Sequence, residues 1–292
     1  MALLRLPSRR AVLRAGLAAA GTTVLPDPGR AAAAELRFGL TPVFLTSDLE
    51  LLARLKAYLE RATGRPVRLV TRRTYQEITT LLVTGQLDAA WICGYPFAAY
   101  RSQLALVAVP VWKRRPLYQS YLIAAADRTA SGLADLRGDA HAFSDPDSNS
   151  GWLVTAAELA DMGTDPGRFF RQSFFTYGHR NVIRAVGAGL AMSGSVDGYV
   201  YEVMRETEAE LVAATRIVRA SDWLGFPPVA CSVALAQAPE TERLRRALAE
   251  MGDDADGRAV LAMLQLDGFS IEEPSLFDPI AALMHKVKGA AG

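Results

Sequence analysis

Between Phe143 and Val154 the chain reads FSDPDSNSGWLV. Ser148, Asn149 and Ser150 stand in a row before Gly151 and an apolar run, so a polar loop leads straight into a helix. Such a junction presents unpaired backbone N–H groups and the positive end of the helix dipole. The hydroxyls and the amide add side-chain donors, and Gly151 lets the backbone approach a ligand closely. Neutral donors at a helix start suffice for a phosphate-like anion. That matters here, because the loop carries Asp145 and Asp147 and no cation. The same residues also cap helices with no ligand present, and from the loop alone capping is the commoner outcome.

Other side chains could complete such a site. His179, one of three histidines, follows Gly178 and opens the pattern HRNVIRAV. It could donate to a ligand oxygen as neutral or charged imidazole, which would make affinity vary with pH, or it could only cap its helix. Asp197 follows a short apolar strand in GSVDGYVYEVM. A carboxylate repels an oxyanion unless it meets a proton or an amine, so Asp197 suits a ligand bearing either, or else caps the next helix. Glu202 is a possible second acid. Tyr75 in TRRTY and Tyr118 in LYQSY, with Ser120 beside it, offer phenolic donors and apolar walls, although packing alone would explain any single tyrosine. Trp91 and Tyr95 in AWICGYP, and Thr41 in an earlier loop, are further candidates.

The elements that must position these residues alternate between strand and helix. LRFGL, PVRLVT, LDAAWI, LALVAVPVW, LYQSYLIAAA, AHAFS, a segment of FFRQSFFTYG, the start of SVDGYVYEVM, and VACSVALAQ read as strands. Helical patterns run through SDLELLARLKAYLERATG, capped by Ser47 or Asp48 and ended by Gly64, and through TYQEITTLLVTG, capped near Thr74. Others are YPFAAY, GLADLRG, GWLVTAAELADMG, HRNVIRAVGAGL, PETERLRRALAEM and PIAALMHKVKG. Strands separated by helices predict an α/β fold of parallel sheets with crossover helices. Two such units predict two lobes, each a small, mostly parallel sheet flanked by helices, joined by two hinge crossovers. The expected boundaries are 35–116 plus 229–292 for the first lobe and 117–228 for the second. Ligands in such sheets sit beyond the carboxyl ends of the strands, here between the lobes.

Residues 1–34 are set apart. Paired arginines in SRRAVLR precede a weakly apolar run and the small-residue stretch GRAAAAE, the pattern of a twin-arginine export signal cut after Ala33 or Ala34. The run is too short and too rich in Gly and Thr to span a bilayer comfortably. Removing its five Arg and one Asp leaves 27 basic and 30 acidic residues, a net charge near −3. That argues against nucleic acid as a partner. Two cysteines, Cys93 and Cys231, are too few for a disulfide scaffold, though they could pair outside the cytoplasm.

The order of AWICGYPFAAY, LYQSYLIAAADR, GLADLRG, FSDPDSNSGWLVT, FFTYGHRNVIRAV and GSVDGYVYEVM resembles the periplasmic phosphonate, phosphite and phosphate-binding proteins of ABC importers. The resemblance implies a type II two-lobed clamp that closes on a phosphorus oxyanion, phosphite or an aminoalkyl phosphonate among them. It implies ABC permease subunits as partners, a monomeric periplasmic protein, and no cofactor or metal. It places His179 and Tyr75 at family positions. Asn149 stands where the family usually has Thr, which puts one hydroxyl contact and the selectivity in question. Related proteins sense arsenite through a cleft thiol, so Cys93 is a candidate metalloid ligand, against the ordinary reading of a buried cysteine. The same clamp could instead partner a sensor kinase ectodomain. An enzyme is the weakest reading. Ser150, His179 and Asp197 superficially supply nucleophile, base and orienter, but Ser150 lies in no G-x-S-x-G elbow, and no cofactor fingerprint accompanies it.

Overall fold

The computed structural model describes residues 34–42 and 49–290. The expected export signal up to Ala33, and the cap at Ser47 or Asp48, fall outside them. The chain begins a first sheet with β1 (Leu36–Leu40), α1 (Leu49–Thr63), β2 (Val67–Thr71), α2 (Tyr75–Val83), β3 (Ala89–Trp91), α3 (Gly94–Ala99) and β4 (Leu104–Val111). Leu51, Leu55, Tyr58 and Leu59 recur at helical spacing along α1 and are buried, and Gly64 at φ +66° closes the helix. Thr74 and Glu77 cap α2 reciprocally.

The chain then passes through the short β5 (Leu117–Tyr118) into a second sheet. This holds β6 (Ser120–Ala125), β7 (Ala140–Phe143), α4 (Val154–Asp161), α5 (Pro166–Phe169), β8 (Gln172–Phe175), α6 (His179–Gly187), β9 (Ser193–Asp197), α7 (Gly198–Thr207), α8 (Ala209–Ala213) and β10 (Thr215–Ala220). From there β11 (Leu224–Gly225) pairs antiparallel with β5. The first sheet is completed by β12 (Val229–Ser232), α9 (Pro239–Ala249), α10 (Ala255–Leu264) and β13 (Gly268–Ser270), before the last helix α11 (Asp278–Ala290).

Strand order is β13-β4-β12-β3-β1-β2 in the first sheet and β10-β6-β9-β7-β8 in the second. The α/β, two-lobed expectation holds, but the expectation of mostly parallel sheets is corrected to mixed ones. β1 runs parallel to β2 and β3, and β7 parallel to β8 and β9. β12 runs against both β3 and β4, and β6 against both β9 and β10. Both β6 and β12 enter their sheets from the β5–β11 ribbon and not through a crossover helix, so nothing obliges them to run with their neighbours. β13 adds a further antiparallel edge.

One core cluster runs through both sheets, and a smaller one lies around Phe143, Phe169 and Phe170. Rings of Trp112, Tyr199, Phe226 and Tyr118 touch in sequence from β4's end to the ribbon. Burying each such side chain contributes about 1.5–3 kcal/mol, so the packing across the ribbon is a substantial part of this arrangement. α11 joins both parts. Ile280 packs on Gly94, the ring of the preceding Phe277 meets Phe97 of α3, and Lys286 pairs with Asp161 of α4 at 2.7 Å.

Candidate functional site

β7 ends at Phe143, and the chain turns through 144–148 into the helix expected from Gly151. The helix starts two residues earlier, as a wide π-type turn over Asn149–Leu153 that runs into α4. Ser148 sets this start: its Oγ accepts the Gly151 N–H at 2.9 Å. Gly151 is required by space. A Cβ there would lie 1.8 Å from Ser144 Oγ and 3.0 Å from His179 Cε1. Ser120 Oγ donates to the Ser150 carbonyl at 2.6 Å and braces the turn from β6.

His179 opens α6 behind Gly178 and is buried. Its Nδ1 accepts the backbone N–H of Asp197 at 3.0 Å, so in the neutral ring the proton sits on Nε2. Nε2 lies 3.0 Å from the Tyr75 hydroxyl, on the first residue of α2 across the cleft. His179 therefore donates to the Tyr75 oxygen, and the phenol keeps its own proton to donate elsewhere. Burial drives the His179 pKa down to about 3, which favours the neutral ring.

Tyr118 on β5 is likewise fully buried, and its oxygen accepts Asn149 Nδ2 at 2.8 Å. Burial raises both phenols well above the ordinary tyrosine value, so each remains an O–H donor. Ser150 Oγ lies beside the Tyr118 hydroxyl without a well-formed hydrogen bond, and Ser144 Oγ and Asn149 Oδ1 also lack partners. Buried polar atoms left unpaired are uncommon and costly. Three of them stand together at one junction of strand, ribbon and helix.

Two more contacts cross the cleft. Asp145 accepts the Tyr75 N–H through Oδ2 at 3.2 Å, and its Oδ1 accepts the Asp147 N–H at 2.8 Å. A carboxylate from one lobe thus sits on the positive end of a helix in the other. On the other side, Cys93 Sγ accepts the Asn149 N–H at 3.3 Å. No Lys or Arg side chain makes a hydrogen bond to these cleft residues among the described contacts, and the nearby acids Asp145, Asp147 and Asp197 are all shifted upward by burial.

A sequence model of the periplasmic substrate-binding proteins of phosphonate ABC transporters matches residues 38–276. The chain belongs to that family. Family members are periplasmic binding components of transporters, not enzymes. The fold agrees. The binding-protein component of an ABC phosphonate transporter from Pseudomonas aeruginosa superposes with a TM-score of 0.80 at 21% identity, covering 89% of this chain and 88% of that one. PhnD1 of Prochlorococcus marinus in complex with methylphosphonate gives 0.78 at 16% identity, covering 87% and 98%. A histidine kinase sensor domain similar to periplasmic binding proteins gives 0.56 at 16%, covering 80% and 98%.

Within this phosphonate-binding family fold, the candidate residues divide. Asn149, Ser150, Gly151, His179, Tyr75 and Tyr118 converge on the cleft. Ser148 is there too, with its oxygen engaged as a cap. Asp197 caps α7 through Oδ1 to the Tyr199 and Val200 N–H groups while burial raises its pKa to about 7. Glu202 is not brought in. Five residues past the cap, a helix has turned by about 140°, and Glu202 instead accepts from Tyr121 and pairs with Arg205. Thr41 donates to the Trp91 carbonyl at 3.1 Å, and the Trp91 indole donates to the Pro227 carbonyl at 2.8 Å, so both tie the sheet end together. Tyr95 stands edge-on to Trp152. Cys93 and Cys231 are free and buried, which corrects the possible pairing; burial pushes the Cys93 pKa up to about 12, leaving it a thiol. Ser144, and Asp145 as a cap for α2, were not foreseen. The only signal was their position beside the Ser-rich run. Among the described residues no group of three or more His, Cys, Asp or Glu is placed to hold a metal.

Proposed function

We propose that this chain captures a phosphonate-class oxyanion between its lobes and delivers it to permease subunits. The observation that carries the reading is the set of buried O–H groups of Tyr75, Tyr118 and Ser150 with protons left to donate, gathered at a helix start. Asn149, Gly151 and His179 complete the set, with Ser148 holding the turn. The lobes comprise 35–116 plus 229–292 and 117–228, with the β5–β11 ribbon as the hinge. The protein acts as a monomer after export and cleavage near Ala33 or Ala34. The family match favours transport over sensing.

Isothermal titration calorimetry with methylphosphonate, aminoethylphosphonate, phosphite, phosphate and sulfate tests this. At least one phosphorus oxyanion should bind, near micromolar Kd, about −8 kcal/mol. Tyr75→Phe should weaken that binding by about 10- to 100-fold, the loss of one hydrogen bond to a charged group. Absence of binding by every phosphorus compound, or full affinity in Tyr75→Phe, would overturn the assignment.

A further inference from the structure

The hydrogens around Asn149 constrain the charge state of the ligand. Asn149 Nδ2 donates to Tyr118, and its backbone N–H is taken by Cys93. That leaves Oδ1, a buried atom that can only accept, without a partner. Its neighbours at the cleft offer the opposite. Tyr118 has its oxygen occupied by Nδ2, Tyr75 has its oxygen occupied by His179 Nε2–H, and Ser150 Oγ is unbonded, so all three have O–H protons to give. A fully deprotonated phosphonate would satisfy these donors but would set a second acceptor against Asn149 Oδ1. A phosphonate retaining one proton satisfies both sides.

We propose that Asn149 reads the protonation state of the bound oxyanion, and that the cleft takes a singly protonated monoanion whose P–O–H donates to Oδ1. The inference rests on the cleft being the oxyanion site. The surroundings agree in sign. Among the described residues, Asp145, Asp147 and Asp197 lie nearby with no Lys or Arg hydrogen-bonded to them, so a second negative charge on the ligand meets carboxylates and neutral dipoles there. The cost of leaving Oδ1 unmatched corresponds to about 10- to 100-fold in affinity for the dianion relative to the monoanion.

The titratable groups facing this point are Tyr75, Cys93, Tyr118, Asp145, Asp147, His179 and Asp197, so the test must separate their titration from the ligand's. Calorimetry on the mature protein, from about pH 5 to about pH 9, would use methylphosphonate and the more acidic chloromethylphosphonate. Each affinity should fall about tenfold per pH unit once that ligand's own second ionisation is passed, until dianion binding takes over, and the two break points should differ as the ligands do. Coincident break points would assign the effect to a protein group, and affinity that is flat or rises with pH would mean that the monoanion is not preferred, as with the Asn149 amide turned round. Either result overturns the inference while leaving the oxyanion site standing. In Asn149→Thr the hydroxyl can donate or accept, so the preference for the monoanion should shrink at least about tenfold; an unchanged preference removes the role from Asn149. Failure of both phosphonates to bind at any pH would remove the oxyanion reading itself.

Discussion

Replacing Gly151 by alanine tests whether the site depends on close packing of three segments. The backbone here needs no left-handed conformation, so the effect of an added methyl is steric. The methyl would stand 1.8 Å from Ser144 Oγ, 2.6 Å from Ser144 Cβ and 3.0 Å from His179 Cε1, well inside the usual carbon contact distance of about 3.5–4.0 Å. Turning Ser144 about χ1 relieves the first contact but not the second, so the π-type turn must shift away from β7. Overpacking of this kind costs about 1–3 kcal/mol, and a chain of this size loses about 2–4 °C in Tm per kcal/mol. The shift also carries Asn149 and Ser150 off their partners, so affinity for methylphosphonate should fall by more than about tenfold. Ser144→Gly removes both Ser144 atoms from the collision, and the double variant should recover stability with a coupling of about 1 kcal/mol or more. The measurements are guanidinium denaturation and calorimetric titration of the four proteins of the cycle. An unchanged Tm and Kd in Gly151→Ala, or strict additivity with Ser144→Gly, would refute the packing argument.

Two other outcomes are open to direct measurement. Asp197 has a folded pKa of about 7 against about 3.9 unfolded, so the folded state holds the extra proton between those values. Its contribution is fully present below about pH 4 and is lost as pH rises toward 7, flattening above; Asp197→Asn keeps a capping side chain and should abolish that slope in the ligand-free protein, and an unaltered stability–pH curve would contradict the buried acid. Leu283→Asp in α11 puts a charge in the groove between α11 and α4 that Leu283 shares with Val154 and Ala157; because α11 ties α3 to α4, small-angle scattering should show a more open ligand-free protein and calorimetry a weaker ligand, whereas an unchanged radius of gyration and Kd would show that α11 takes no part in closure.

Much of the fold was legible because its cues act over a few residues. The caps at Thr74 and Ser148, the closure by Gly64 and the apolar spacing of α1 and α6 each lie within one or two turns. α5, α8, α10, β10 and β13 escaped. They are short or weakly patterned, and the two strands are edge members whose pairing partners lie far off in the chain. The strand directions were half legible: crossover helices announce parallel pairs, while entry from a two-stranded ribbon has no local signature.

For the site, residue type and order drew attention to the 148–151 turn, since short polar side chains before a helix can serve an anion wherever the helix goes, while the family resemblance drew attention to His179 and Tyr75. Tertiary structure decided what those groups do. The His179 tautomer follows from a backbone N–H eighteen residues away, Asp145 caps a helix seventy residues earlier, and Cys93 takes the Asn149 N–H from the opposite lobe. The same geometry engaged Glu202 with Tyr121 and left Asn149 Oδ1 unmatched. Sequence determines which donors and acceptors a chain owns. Which of them are already spent on each other is settled only when distant segments meet, because a hydrogen bond depends on distances and angles that local propensity does not encode.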